Sequence, residues 1–340
     1  MSGTDFDPGA LKALLDDRFG GAGDIALERL SGGQSNPTYF VTHGDRLMVL
    51  RKQPNGRILR GAHAVDREYR VMAALGPQGV PVPRTILYHD DPAALGTPFY
   101  LMERLDGRVF EDGALPGLAP RERRAIYEGM AEAMATMHAV DPDAAGLGDY
   151  GKPGNYFERQ IGRWTTQLRA SEGEPIPDLE RLADWLAERV PPDDGRTVIA
   201  HGDFRLGNLM FHPTEPRVIA ILDWELSTLG HPLADLGFCA IAWHTTPEEY
   251  GGIRGLDLPA LGIPDLDAFV ARYRARATDA PALEDFHVVF SLFRFAVIFV
   301  GIRDRARAGN AAGSNAEAVA PLARAFARRA MEIVERARAN

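Results

Sequence analysis

Two acidic residues and an amide in this chain stand at a spacing that suits one kind of chemistry. The stretch Ile199-Ala-His201-Gly-Asp203-Phe-Arg205-Leu-Gly207-Asn208-Leu-Met210 puts Asp203 and Asn208 five residues apart on a polar loop with apolar flanks, and Ile221-Leu-Asp223-Trp-Glu225 brings a second acid fifteen residues after Asn208. Magnesium-dependent phosphoryl transfer needs a carboxylate to take the proton from an attacking hydroxyl. It also needs an amide oxygen and a second carboxylate to hold the metal that bridges the nucleotide phosphates. Asp203, Asn208 and His201 are therefore the catalytic candidates, and Asn208 and Asp223 the metal candidates. A tight turn shaped by the Asp and Asn side chains is the plainer explanation, but it accounts for neither His201 nor Asp223.

The spacing fits H-R-D-L-x-x-x-N, with Gly202 in place of the Arg and Asp223 where the D-F-G acid would stand. β-prone residues bracket each member, as in Thr197-Val-Ile199, Leu209-Met-Phe211 and Val218-Ile-Ala-Ile-Leu222. The wording of HGDFRLGNLMF, VIAILDWE and GHPLADLGF resembles the aminoglycoside phosphotransferase and choline kinase family, which has a protein-kinase-like fold. The nearest likeness is to the kinase-like domain attached to some acyl-CoA dehydrogenases, and it covers about residues 25 to 305.

The elements that must position these groups can be read upstream. Asp7-Pro8 opens a helix whose Leu11, Leu14, Leu15 and Phe19 share a face. Residues 25 to 30, 38 to 43 and 47 to 52 read as strands, with a turn at His43-Gly44-Asp45. Between the first two lies Ser31-Gly32-Gly33-Gln34-Ser35-Asn36, small and polar enough to bring its amides to phosphate, although neither a Walker A loop nor a full G-x-G-x-x-G. In the resembled family the corresponding loop covers the nucleotide.

Strand alternation puts Val49 and Arg51 on one face and Lys52 on the other, so Arg51 takes the place of the phosphate-binding lysine, with Lys52 as a substitute if the register slips. A helix over about 62 to 75 sets Glu68 beside the stripe of Val65, Tyr69 and Met72, where a carboxylate needs a cation such as Arg51. The run from Pro98 to Gly107 reads as a strand leaving the first lobe. The resemblance places adenine there, on backbone groups near Glu103 and Leu105.

Beyond residue 118 the pattern is helical, with Ile126, Met130, Ala133, Met134 and Met137 as a core stripe ending at His138, a hydrogen-bonded core histidine. Asp235 is expected near a helix start, and the resemblance makes it a buried brace for the catalytic loop. His201 lacks the His spacing of a helical zinc site, so its role is to orient the loop.

Composition sets outer bounds. With 340 residues two lobes are expected, at 1–104 and 105–340. A net charge of −9 argues against nucleic-acid binding. One cysteine rules out an internal disulfide framework, and the absence of a signal-peptide pattern at the start points to the cytoplasm. The apolar run Phe286 to Ile302 contains His287 and Arg294 and reads as a buried helix, with no membrane partner.

The expectation is an α+β, two-lobed kinase-like fold with a small five-stranded antiparallel lobe carrying one helix and a larger helical lobe. ATP and Mg²⁺ would lie between the lobes, with a small-molecule hydroxyl as acceptor. The acyl-CoA dehydrogenase likeness implies a hydroxyacyl-CoA, with Arg57 and Arg60 assisting at the CoA phosphates. Three other readings remain open: an aminoglycoside-like or choline-like alcohol as acceptor, a nucleotide-binding regulatory module without turnover, and a hydrolase with Asp203 as nucleophile. The sequence leaves the oligomeric state unassigned.

Overall fold

The computed structural model describes residues 4–21, 23–30, 36–56, 64–307 and 316–339. The predicted loop residues Ser31, Gly32, Gly33, Gln34 and Ser35, and the basic pair Arg57 and Arg60, lie outside the described residues. Two compact units are present, one comprising Met1–Gly107 with Ile219–Glu225, the other Arg108–Val218 with Leu226–Asn340. The short return segment carries Asp223, so a single cut after residue 104 does not reproduce the first unit.

In that unit the elements run α1 (Pro8–Phe19), β1 (Ile25–Arg29), β2 (Thr38–His43), β3 (Arg46–Lys52), α2 (Val65–Leu75), β4 (Thr85–His89), α3 (Pro92–Leu95) and β5 (Phe99–Glu103). The strands form an antiparallel sheet in the order β1-β2-β3-β5-β4. Asp7 caps α1 by accepting from the Gly9 N–H, with Pro8 at the first helical position, as the sequence predicts.

The expectation of one helix in the small lobe is corrected: α1 and the short α3 lie in this unit beside α2. Leu11 and Leu15 of α1 pack into a core with Tyr39, Val41, Met48, Leu50, Phe99 and Leu101, while α2 contacts β4 and β5. Both faces of β3 are thus covered, which is why Met48, Val49 and Leu50 are all buried instead of alternating with solvent.

The second unit begins with β6 (Arg108–Val109) and the helices α4 (Pro120–His138), α5 (Tyr156–Arg169) and α6 (Pro177–Ala187). Then come β7 (Val198–Ala200), β8 (Leu209–Phe211), β9 (Val218–Ile221, whose last residues belong to the first unit) and β10 (Thr228–Gly230). Five helices close the chain: α7 (Pro232–His244), α8 (Leu258–Leu261), α9 (Leu266–Arg274), α10 (Asp285–Arg307) and α11 (Ala316–Ala339).

β10 pairs antiparallel with β7, and β6 with β8, so two short ribbons hold the ends of the 201–208 loop. The predicted stripe Ile126, Met130, Ala133, Met134 and Met137 is buried on α4. α10 is long and apolar enough to cross a membrane, yet 78% of its most apolar stretch is buried inside the protein, the signature of a core helix.

Candidate active site

The loop between β7 and β8 is held from below by one buried acid. Asp235 lies in the first turn of α7, is 1% exposed, and accepts from the backbone N–H of His201 at 2.7 Å and of Gly202 at 2.8 Å. Its Oδ2 also lies 3.2 Å from His138 Nε2, and His138 Nδ1 lies 2.8 Å from the Tyr273 hydroxyl. Burial alone would raise the Asp235 carboxyl, but His138, His201 and the loop amides outweigh it and hold the group below its ordinary value. The bracing role implied for Asp235 and the core role read for His138 are what the geometry shows.

Gly202 shows why the Arg of the kinase pattern is replaced. Its φ is +82°, and a Cβ there would sit 2.6 Å from the Leu226 carbonyl oxygen, so only glycine fits. His201, grouped with the catalytic candidates, is fully buried, and its Nδ1 accepts from the Asp203 backbone N–H at 3.2 Å. It positions the loop and does not present a reacting atom.

Asn208 is 7% exposed, and its Nδ2 donates to both the carbonyl oxygen and the Oδ2 of Asp203, each at 2.8 Å. The amide nitrogen is thereby spent on Asp203, and Oδ1 is the Asn208 atom suited to a cation. Asp203 itself is half-buried.

In the first unit a second cluster forms around Arg51. Its Nε lies 2.8 Å from Glu68 Oε2 and its Nη2 lies 3.3 Å from Asp223 Oδ1. Glu68 is 2% exposed on the inner face of α2 and also accepts from the Tyr100 hydroxyl at 2.9 Å and Asn36 Nδ2 at 2.8 Å. Burial opposes charge on both partners. It raises the Glu68 carboxyl despite Arg51 and Tyr100, and the acids around Arg51 keep the guanidinium above its ordinary value despite desolvation. Asn36, counted with the nucleotide-covering loop, has its side chain committed to Glu68.

Lys52 points to the other face, is fully buried, and donates to Asp5 Oδ2 at 2.8 Å and Asn55 Oδ1 at 3.1 Å. The strand register thus assigns Arg51, and Lys52 is a structural cation beneath α1. With both committed, the basic run 51–60 does not offer four free cations.

Asp223 adopts φ +61°, a left-handed conformation that Asp tolerates at a cost of roughly 1 kcal/mol, and its side chain is 39% exposed. Glu103 ends β5; its backbone N–H donates to the Arg84 carbonyl, and its carboxylate accepts from the Arg84 N–H. Leu105 follows before the boundary of the unit at Gly107.

Asn208 in the second unit and Asp223 in the first each offer oxygen donors, the type that suits a hard cation. No group of three or more His, Cys, Asp or Glu side chains able to hold a metal occurs among the described residues.

Sequence reading missed Tyr100 and the pair Arg205–Glu111. Arg205 follows Asp203 by two residues, lies 3.2 Å from Glu111 Oε2 and stacks 5.4 Å over the Tyr250 ring. A local trace is Gly207, where a Cβ would meet Arg205 Nη1 at 2.4 Å. Tyr250, at φ +68°, is a second strained position, anchored by its neighbour Glu249, which pairs with Arg328 and Arg329.

The arrangement has close relatives. A solved structure of a "putative aminoglycoside phosphotransferase" from Ralstonia eutropha is 46% identical, with a TM-score of 0.89 over 97% of this chain and 99% of that one. Mouse acyl-CoA dehydrogenase family member 10 is 42% identical over 321 residues, which is 93% of this chain and 30% of that protein. The chain spans less than half the length of such relatives. A thermostable mutant of the aminoglycoside phosphotransferase APH(4)-Ia, solved in a ternary complex with AMP-PNP and hygromycin B, is 16% identical with a TM-score of 0.61, over 94% of this chain and 98% of that one, and shares the fold. The model of the phosphotransferase enzyme family matches residues 26–286, and with the loop, its brace and the Arg51–Glu68 pair in place, this chain belongs to that family and is a phosphotransferase of kinase-like fold.

Proposed function

We propose that this phosphotransferase moves the γ-phosphoryl group of ATP, with Mg²⁺, to the hydroxyl of a small molecule, and that the acceptor is a hydroxyacyl-CoA or related hydroxy acid. The observation that carries the reading is the lock between Asn208 and Asp203, which fixes the carboxylate and leaves an amide oxygen for a cation.

Asp203 orients the acceptor hydroxyl and receives its proton. On the sequence pattern, Asn208 Oδ1 and Asp223 are the groups that would hold the metal, which would supply neutralising charge to the phosphates. Arg51, braced by Glu68, grips phosphate oxygens, and His201 and Asp235 keep the loop in register. Positioning and charge neutralisation account for the acceleration. Adenine bonds to backbone groups near Glu103 and Leu105.

The hydroxyacyl-CoA assignment is supported by the likeness to proteins named for acyl-CoA dehydrogenases. A screen of hydroxyacyl-CoAs of varied chain length and hydroxyl position, with kanamycin and choline alongside and ATP consumption as readout, tests it. Consumption with a hydroxyacyl-CoA is the expected result. Robust phosphorylation of kanamycin or choline with none on any hydroxyacyl-CoA contradicts it.

A further inference from the structure

Resting on that phosphoryl-transfer reading, the geometry points to a built acceptor subsite in the second unit. A cavity of about 60 Å³ is walled by Tyr127, Met130, Phe238 and Trp243 and bounded by the catalytic loop at Arg205 to Gly207, with Tyr250 at its edge. The polar tips of its walls are spent elsewhere. The Tyr127 hydroxyl donates to the Gly113 carbonyl at 2.7 Å, Trp243 Nε1 to the Pro264 carbonyl at 3.0 Å, and Thr245 Oγ1 to the Ile241 carbonyl at 3.0 Å. Cys239 is buried and its thiol is pushed up by desolvation, so it adds no charge. What remains is an apolar surface, which does not hold water well and suits a hydrocarbon segment.

The polar groups at its rim are Arg205 and Glu111. Arg205 Nε is buried with no hydrogen-bond partner among the described residues, while Nη1 meets Glu111. An unsatisfied guanidinium N–H two residues from Asp203 calls for an oxygen acceptor. Among the described residues lining the cavity Glu111 is the one acid, and it already faces Arg205.

We infer that the acceptor seats a short aliphatic segment in this cavity and presents a carboxylate or acyl carbonyl oxygen to Arg205, with its hydroxyl left at Asp203. Arg205 is then the residue that selects acidic or acyl acceptors over plain alcohols, and the cavity wall limits chain length.

Straight-chain hydroxy acids of graded length, the matching diols and kanamycin are the probes, with ATP consumption measured for the parent, Arg205→Gln, Arg205→Lys and Ala242→Leu. The expected result is a preference for hydroxy acids with an optimum chain length. Arg205→Gln raises KM for hydroxy acids at least about tenfold, the size of one lost charged hydrogen bond, Arg205→Lys recovers part of it, and KM for ATP holds steady in both. Ala242→Leu, which narrows the cavity, shifts the optimum to shorter chains.

An unchanged chain-length profile in Ala242→Leu, equal losses on acids and diols in Arg205→Gln, or kanamycin as the better acceptor each overturns the assignment while leaving phosphoryl transfer intact. Absence of ATP consumption with every probe and with every hydroxyacyl-CoA of the earlier screen, in a parent that still binds Mg-ATP, removes the proposed acceptor class and this subsite with it.

Discussion

The cluster around Arg51 and the loop around Asp203 are held in place by different forces. Arg51, Glu68 and Asp223 are held by charge, through side chains drawn from a strand, a helix and a return segment. The 201–208 loop is held by main-chain hydrogen bonds converging on one buried acid and one buried histidine. A charge cluster tolerates loss of a member badly, because the survivor is left desolvated. A loop pinned by backbone bonds fails as a unit, because its brace serves several donors at once.

The strongest way to break this contrast is to remove the brace. Asp235→Ala leaves the His201 and Gly202 amides and His138 without their acceptor, three groups at roughly 1–3 kcal/mol each. Expected are a destabilisation on the order of 5 kcal/mol by urea unfolding and loss of hydrogen-exchange protection at His201 and Gly202. A variant that keeps both would separate the loop from Asp235.

Next in size is Glu68→Gln, which leaves the guanidinium with Asp223 as its one charged partner in the cluster and is expected to cost about 3 kcal/mol while raising KM for ATP. The same change made in an Arg51→Ala background should do little. Strict additivity in that double-mutant cycle means the two residues act apart.

A pH titration sharpens the comparison from the other side. His287 is held down to about 4 by burial, with His231 stacked on it and the Glu284 amide donating to its Nδ1. Above pH 6.5 the ring is neutral folded or unfolded, so it adds no pH dependence there. As pH falls from 6.5 toward 4 only the unfolded chain takes up the proton, so stability is lost, approaching about 3 kcal/mol. His287→Gln should reduce the dependence of stability on pH across that window, part of which His244, also held down to about 4 by burial, retains, and leave it unchanged near pH 7.5.

The smallest effect is expected for Lys52→Met, about 1 kcal/mol, because its partner Asp5 is partly exposed and keeps the Tyr39 hydroxyl. KM for ATP should not move. An increase would return Lys52 to the phosphates and take that role from Arg51.

What the sequence disclosed follows the range of the forces involved. Alternation along β3 separated Arg51 from Lys52, and helical spacing put Glu68 on the inner face of α2, because both patterns are local. The acid at 235 and the histidine at 138 were reached through family wording, since nothing local ties residues so far apart. The Arg205–Glu111–Tyr250 rim stayed hidden for the same reason: its members come from separate loops, and glycines such as Gly207 and Gly251 are what their packing leaves in the sequence. The left-handed Asp223 left no trace, because strain is a property of the fold and not of the residue.

The central claim is that Asp203 serves the acceptor hydroxyl and not the nucleotide. Mg-ATP affinity and ATP consumption measured side by side on the parent and Asp203→Asn test it most directly. The account predicts transfer reduced by at least about a hundredfold, with Mg-ATP binding nearly intact. An Asp203→Asn enzyme that turns over like the parent, or one that loses nucleotide binding as fully as transfer, would contradict it.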